Sequence, residues 1–159
     1  MSPTRPVHSG GEASEAHASG HLGAARPRPP IPTPLEVAVS EAVFRYQLQQ
    51  PLADAPQPSR YYLAWHGRDP EAAVLQRLGP AVHPFSRCRV TARDGVVDRV
   101  TGAQGVILQV ARLAWVHAAA VEAVGGYYCT HRHAAGFRYH VAHKKGPWAV
   151  TAAHLLWRV

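Results

Sequence analysis

The position that most constrains this chain is Thr33, because the sequence changes character there. Residues 1–33 hold six of the 14 prolines, four of the 13 glycines and almost no large apolar side chain. Such a segment cannot bury enough surface to offset the entropy lost on ordering, so a disordered Pro/Gly/Ala-rich tail is expected. Within it, Arg26-Pro27-Arg28-Pro29-Pro30 favours polyproline II and reads as a spacer; a ligand for a proline-binding domain is the alternative. His8, His17 and His21 are too scattered to suggest a metal site. At Thr33-Pro34-Leu35-Glu36 the signal inverts. This is a capping box with proline at the first helical position. Leu35, Val39, Ala42 or Val43, and Tyr46 follow at helical spacing, and Pro51 closes the run. The spacing predicts a helix over 34–50.

The remainder reads as one domain, 34–159, since 159 residues with 47% apolar content can build a single core. Residues 51–59 are a loop. Tyr61-Tyr62-Leu63-Ala64-Trp65 is a buried strand stopped by Gly67. Asp69-Pro70 is expected to cap a short helix that ends at Gly79-Pro80. Residues 87–92 alternate around Cys88 and Val90 as a strand, and Asp94-Gly95 and Thr101-Gly102 are turns. The stretch 106–124 reads both ways. Ile107, Val110, Ala111, Ala114, Ala118 and Val121 fit a helix. The β-branched and aromatic content, with Gly125-Gly126-Tyr127-Tyr128 following, fits strands. Gln109 and Arg112 lie three apart, which breaks alternation unless a bulge sits near Ala111. Phe137 to Val141 alternates clearly, Lys144-Lys145-Gly146 is a turn, and Trp148, Val150 and Ala152 alternate in a last strand reaching Trp157.

The formal net charge is +7 and the pI is near 10.0. There is no Asn, and there are only two Lys and two Ile, a bias expected of a genome rich in G and C. Arginine is then partly a codon habit. No basic 5–8-mer patch is present. From residue 85 onward, however, ten Lys and Arg face three acids. A basic sheet with aromatics beside Arg87, Arg89, Arg138 and Lys144 is therefore a candidate single-stranded nucleic-acid surface, against the plain alternative of a solvated strand face. Met1 to Pro6 leads into no apolar run, so no secretory signal is expected. Gln109, Arg112, His117 and Glu122 interrupt Val106 to Val124, which argues against a membrane span. A soluble, cytoplasmic protein with reduced thiols is the expectation.

Few residues offer chemistry. Cys129, His131 and His133 are spaced by two, so on an extended chain they share a face. Thiolate and imidazole bind zinc or copper, and His140 or His143 could supply a fourth ligand. The competing reading is a solvated hairpin in a chain with 11 histidines. Cys88 and Cys129 would pair only if exported and otherwise are free, mostly buried thiols. Cys129 as a nucleophile would need a positioned histidine base. Glu122 is an acid or base if it faces the interior, and a solvated strand residue if it faces water, the reading preferred here. Asp94 is expected to bond its own turn backbone. No Gly-x-Ser-x-Gly, P-loop, dinucleotide fingerprint or His-Glu-x-x-His occurs. Tyr61 and Tyr62, and Tyr127 and Tyr128, should split between opposite sheet faces.

Several pieces together carry a resemblance: Tyr62-Leu-Ala, Gly67, Asp69-Pro70, Ser86-Arg-Cys88-Arg-Val90, Asp94-Gly-Val-Val-Asp98, Thr101-Gly102 and Gly105-Val-Ile107. They continue with Trp115, Val121-Glu122, Gly125-Gly-Tyr-Tyr128, Ala135-Gly-Phe-Arg-Tyr-His-Val141, Gly146-Pro-Trp-Ala-Val150 and Trp157. With Glu41-Ala-Val-Phe-Arg-Tyr46, they make the chain resemble a group of short, uncharacterised bacterial α+β proteins. The resemblance implies strands across 106–124, turning at His117 to Ala119. It brings no catalytic residues. In that group the hairpin after Tyr128 is small and Gly-rich, where this chain has Cys129-Thr-His-Arg-His133. The element order is similar, at fold level, to cystatin-like and NTF2-like folds, in which a curved sheet wraps a helix. The fold class expected is α+β, with one long and one short helix packed on a curved antiparallel meander of about five strands. The first functional expectation is a non-catalytic module that holds a small molecule or a protein partner between sheet and helix. The second is nucleic-acid binding, and the third is a metal-dependent or cysteine enzyme at 129–133.

Overall fold

The computed structural model describes residues 31–52 and 57–159. The expected tail lies outside the described residues except for 31–33, as do the histidines at 8, 17 and 21, the proline-rich stretch 26–30 and the middle of the loop after Pro51. Helix α1 spans Pro34–Gln49 and starts as the sequence predicts. The Glu36 N–H donates to Thr33 Oγ1 at 3.2 Å, and the Thr33 N–H donates to Glu36 Oε2 at 2.7 Å. Its buried stripe is Val39, Ser40, Val43, Phe44 and Gln47. Leu35, expected on that face, is 54% exposed, because the stripe begins one turn later. Buried Ser40 is satisfied by the Trp65 indole N–H at 2.7 Å.

Eight strands and a second helix follow: β1 (Tyr61–Trp65), α2 (Ala72–Leu78), β2 (Val82–Pro84), β3 (Cys88–Thr91), β4 (Gly95–Asp98), β5 (Val106–His117), β6 (Ala120–Thr130), β7 (His133–Ala142) and β8 (Ala149–Arg158). Six form one sheet in the order β2-β1-β5-β6-β7-β8, and β3 and β4 form a separate antiparallel ribbon. The α+β class and a mostly antiparallel sheet are as expected. The count of about five strands and the all-antiparallel meander are corrected. β1 pairs in parallel with both β2 and β5, and α2 supplies the crossover that a parallel neighbour requires. β2 escaped notice because it is three residues long and ends in proline, which only an edge strand tolerates. The ambiguous stretch is two strands turning at Ala118–Ala119, and the register shift between Val110 and Arg112 is the bulge expected near Ala111. Asp69 does not cap α2. Glu71 holds the cap position, and the Asp69 carboxylate instead accepts from the Ser86 N–H at 2.7 Å and hydroxyl at 2.6 Å.

The sheet is buried on two faces. Under α1 lie Leu63, Trp65, Val106, Leu108, Val110, Val121, Tyr139 and Val141. On the other face Tyr62, Ala64 and Ile107 pack with Cys88 and Val96 of the ribbon. Alternation divides Tyr61 from Tyr62 and Tyr127 from Tyr128 between these faces, as expected. The ribbon turns at Gly95, whose φ of +71° is costly for other residues and whose missing Cβ leaves room for the Cys129 carbonyl.

Asp98 ties the ribbon to the sheet. Its buried carboxylate accepts from the Tyr62 hydroxyl (2.8 Å), Arg87 Nε (2.9 Å) and Arg60 Nη1 (3.4 Å). It also accepts from the backbone N–H groups of Val100 (2.8 Å) and Thr101 (3.0 Å). The Asx turn expected at Asp94 is thus made by Asp98, while the Asp94 N–H donates to Thr91 Oγ1 at 3.0 Å. Burial alone would raise the Asp98 pKa. The donors at Thr101, Tyr62 and Val100 and the Arg87 charge outweigh it and hold the carboxyl far below the usual range. Its folded pKa lies below the unfolded value of about 3.9, so its contribution is complete above that value and is lost as pH falls. Asp98→Asn should lower the urea midpoint at pH 7, and the wild-type and variant midpoints should converge as pH drops below about 4. A gap that stays constant with pH would refute this account.

Candidate functional site

The inner half of the sheet and the C-terminal half of α1 enclose a cavity of about 220 Å³. Tyr46, Tyr127, Phe137 and Tyr139 give it aromatic walls, and Ala153 and Arg158 of β8 also line it. Tyr139 meets Tyr46 edge-to-face at 5.9 Å and Phe137 at 5.9 Å between ring centroids. Alternation along β7 puts Phe137 and Tyr139 on the α1 side, and β8 brings Ala153 opposite Tyr139.

Gln47 borders this cavity and is the polar end of the buried α1 stripe. Its Nε2 shares two N–H groups among three acceptors, the Gln109 carbonyl at 3.1 Å, the Gly126 carbonyl at 3.3 Å and the Tyr139 hydroxyl at 3.1 Å. Two carbonyls facing Nε2 settle the amide orientation, because an oxygen there would meet two acceptors. Its Oε1 is buried and accepts from no protein group. Gln47 reaches the sheet because Gly125 carries no side chain: a Cβ there would crowd Gln47 Nε2 and overlap the Gln109 carbonyl, whereas one at Gly126 would overlap the Ala135 carbonyl. Burial pushes the Tyr139 phenol up to about 12, so it stays protonated at neutral pH.

A second cavity of about 150 Å³ lies at the other end of α1, beside Trp65, Arg68 and Asp69. Its buried polar groups are already paired, Ser40 with Trp65 and Asp69 with Ser86. The Gln47 cavity is therefore the better candidate: its lining is aromatic and one buried acceptor on its border is unsatisfied.

The hairpin residues are placed differently from the sequence reading. β6 ends at Thr130 and β7 begins at His133, so the chain reverses at His131–Arg132, and Cys129, His131 and His133 do not share one extended face. Half-buried Cys129 packs against the α1-side core, and burial raises its thiol pKa. His131 is exposed at the turn, and His133 Nδ1 lies 3.2 Å from Thr130 Oγ1. His140 faces Glu122 at 3.7 Å on the outer sheet face, and His143 bonds the Gly146 carbonyl. Among the described residues no group of three or more His, Cys, Asp or Glu side chains is arranged to hold a metal. Cys88 and Cys129 are free thiols in clusters on opposite faces, and burial pushes Cys88 up to about 11.

The outer face of β5–β8 is only partly covered by the ribbon. There the register aligns Arg112, Val124, Arg138 and His154 in one row across four strands. Trp157 lies across Gly136 on the same face. No helix among the described residues is long and apolar enough to cross a membrane. Comparison with protein-family models, curated proteins and solved structures returned no match.

Sequence reasoning missed Gln47, and the only signal was a polar residue at the i+4 position after Val39 and Val43. If its amide holds α1 on the sheet, Gln47→Leu should cost about 1–3 kcal/mol in urea unfolding, from carbonyls left unpaired. A loss below about 0.3 kcal/mol would mean other groups satisfy them.

Proposed function

We propose that this chain is a non-catalytic binding module whose ligand, a small and largely apolar ring compound, occupies the cavity between α1 and the sheet. The observation that carries this reading is the pairing of aromatic walls with one unsatisfied buried acceptor, Gln47 Oε1. Apolar lining supplies affinity, and a single polar group fixes orientation. The buried polar side chains there, the Gln47 amide and the Tyr139 phenol, are neutral at pH 7, which suits holding a ligand better than transferring its proton. A helix across one face of a bulged sheet is also consistent with a cystatin-like or NTF2-like arrangement, which bears on fold alone. The test uses 1-aminoanthracene, a fluorescent apolar probe. Saturable binding is expected, weakened at least tenfold (about 1.4 kcal/mol) by Ala153→Trp, which fills the cavity from β8. Equal binding by both proteins, or none by either, would refute the assignment.

A second reading rests on the outer-face row of Arg112, Arg138 and His154 beside Trp157. It supports weak binding of single-stranded nucleic acid by phosphate contacts and stacking. Labelled oligothymidylate should bind less tightly as salt rises. Arg112→Ala with Arg138→Ala should lower the log–log salt slope by about 1.4, two contacts at roughly 0.7 each. No binding at low salt, or an unchanged slope, removes this reading.

A further inference from the structure

Two polar groups on the cavity border are only half used. Gln47 is 6% exposed and Tyr139 3%, so neither can turn to bulk water for a partner. Gln47 Oε1 has no hydrogen-bond donor among the described residues. The Tyr139 hydroxyl oxygen lies 3.1 Å from Gln47 Nε2 and accepts there. An amide nitrogen offers no lone pair, so the phenol's own proton points elsewhere, and it meets no acceptor among the described residues. Burial keeps that proton on the oxygen at neutral pH. Oε1 and Nε2 belong to one amide, and the Tyr139 hydroxyl is hydrogen-bonded to Nε2, so an unmet acceptor and an unmet donor sit side by side. Each is costly to leave unpaired in a buried site.

On the reading of this cavity as a ligand site, we propose that its ligand carries a lactam edge, whose N–H donates to Gln47 Oε1 and whose adjacent C=O accepts from the Tyr139 hydroxyl. A cyclic amide supplies a donor and an acceptor on neighbouring atoms, as this pair requires. Other small polar groups match it less well. A carboxylic acid ionises at pH 7 and sets a negative charge against Oε1. An amidinium brings donors alone and faces the Tyr139 proton with another proton. An ester or ketone has no N–H for Oε1. The ring follows from the walls, since Tyr46, Tyr127 and Phe137 present aromatic surface to a flat, apolar body. An apolar cavity of about 150 Å³ takes one benzene ring, so about 220 Å³ suits two fused rings.

The probes are 2-quinolone, a two-ring lactam, and coumarin, in which an ester oxygen replaces the N–H at nearly unchanged shape. Calorimetric titration of the full chain at pH 7 should show 2-quinolone binding at least tenfold more tightly, because coumarin sets a lone pair against Gln47 Oε1. Tyr139→Phe keeps the ring, and Gln47 Nε2 keeps both carbonyls, so this variant is expected to fold. It should weaken both probes by about fivefold and preserve the ratio between them, which reads Gln47 alone. Should the variant not fold, the two probes on the unaltered chain decide the matter. Coumarin binding as tightly as 2-quinolone, or folded Tyr139→Phe binding both as tightly as the unaltered chain, would overturn the proposal. If 1-aminoanthracene binds and 2-quinolone does not, the lactam falls and the binding module stands. If neither binds, both fall.

Discussion

Five residues, Val106 to Val110, join the two halves of this fold. On one side they pair in parallel with Tyr61–Trp65, and on the other β5 pairs antiparallel with β6. The parallel part of the sheet and the antiparallel part meet nowhere else in the strand order. The segment is accordingly buried except at Gln109: Val106, Leu108 and Val110 face α1, and Ile107 faces the ribbon. A central strand with both faces covered reads as a continuous apolar run rather than an alternation. That same property made 106–124 ambiguous between helix and strand.

α1 is held by shape over most of its buried stripe and by hydrogen bonds at its end. Val39, Val43 and Phe44 fill the inner core, and Gln47 then addresses strands β5, β6 and β7 at once through Gln109, Gly126 and Tyr139. Gly125, on the α1 side of β6, admits this contact. Packing of the helix, close approach of the strands and the polar edge of the cavity are therefore one arrangement. The Asp98 node does the corresponding work on the opposite face, where one carboxylate gathers β1, the ribbon and the turn after β4. One face thus depends on a neutral amide and leaves a cavity beside it, whereas the other depends on a charge whose donors are all supplied by the protein.

Most elements were legible because their signals are local. The capping box at Thr33, the turn at Asp94-Gly95, the bulge near Ala111 and the alternation from Phe137 to Val141 depend only on neighbouring residues. The cavity was legible only in outline, as a concavity between helix and sheet, since its chief polar residue comes from the helix and its partners from three strands. The hairpin at Cys129, His131 and His133 shows the opposite failure. Spacing by two implies a common face only if the strand continues, and the turn at His131–Arg132 breaks that condition.

By itself the sequence determined where α1 starts, how it is capped and how β7 alternates from Phe137 to Val141, because capping and alternation are decided within a few residues. The tertiary structure alone decided that β5 lies beside β1, that three-residue β2 is an edge, that Asp98 rather than Asp94 makes the Asx turn, and that Gln47 meets Tyr139. Asp98 meets Tyr62 across 36 positions and Gln47 meets Tyr139 across 92, and partners so far apart share no local pattern and are selected only when burial requires each polar group to find one.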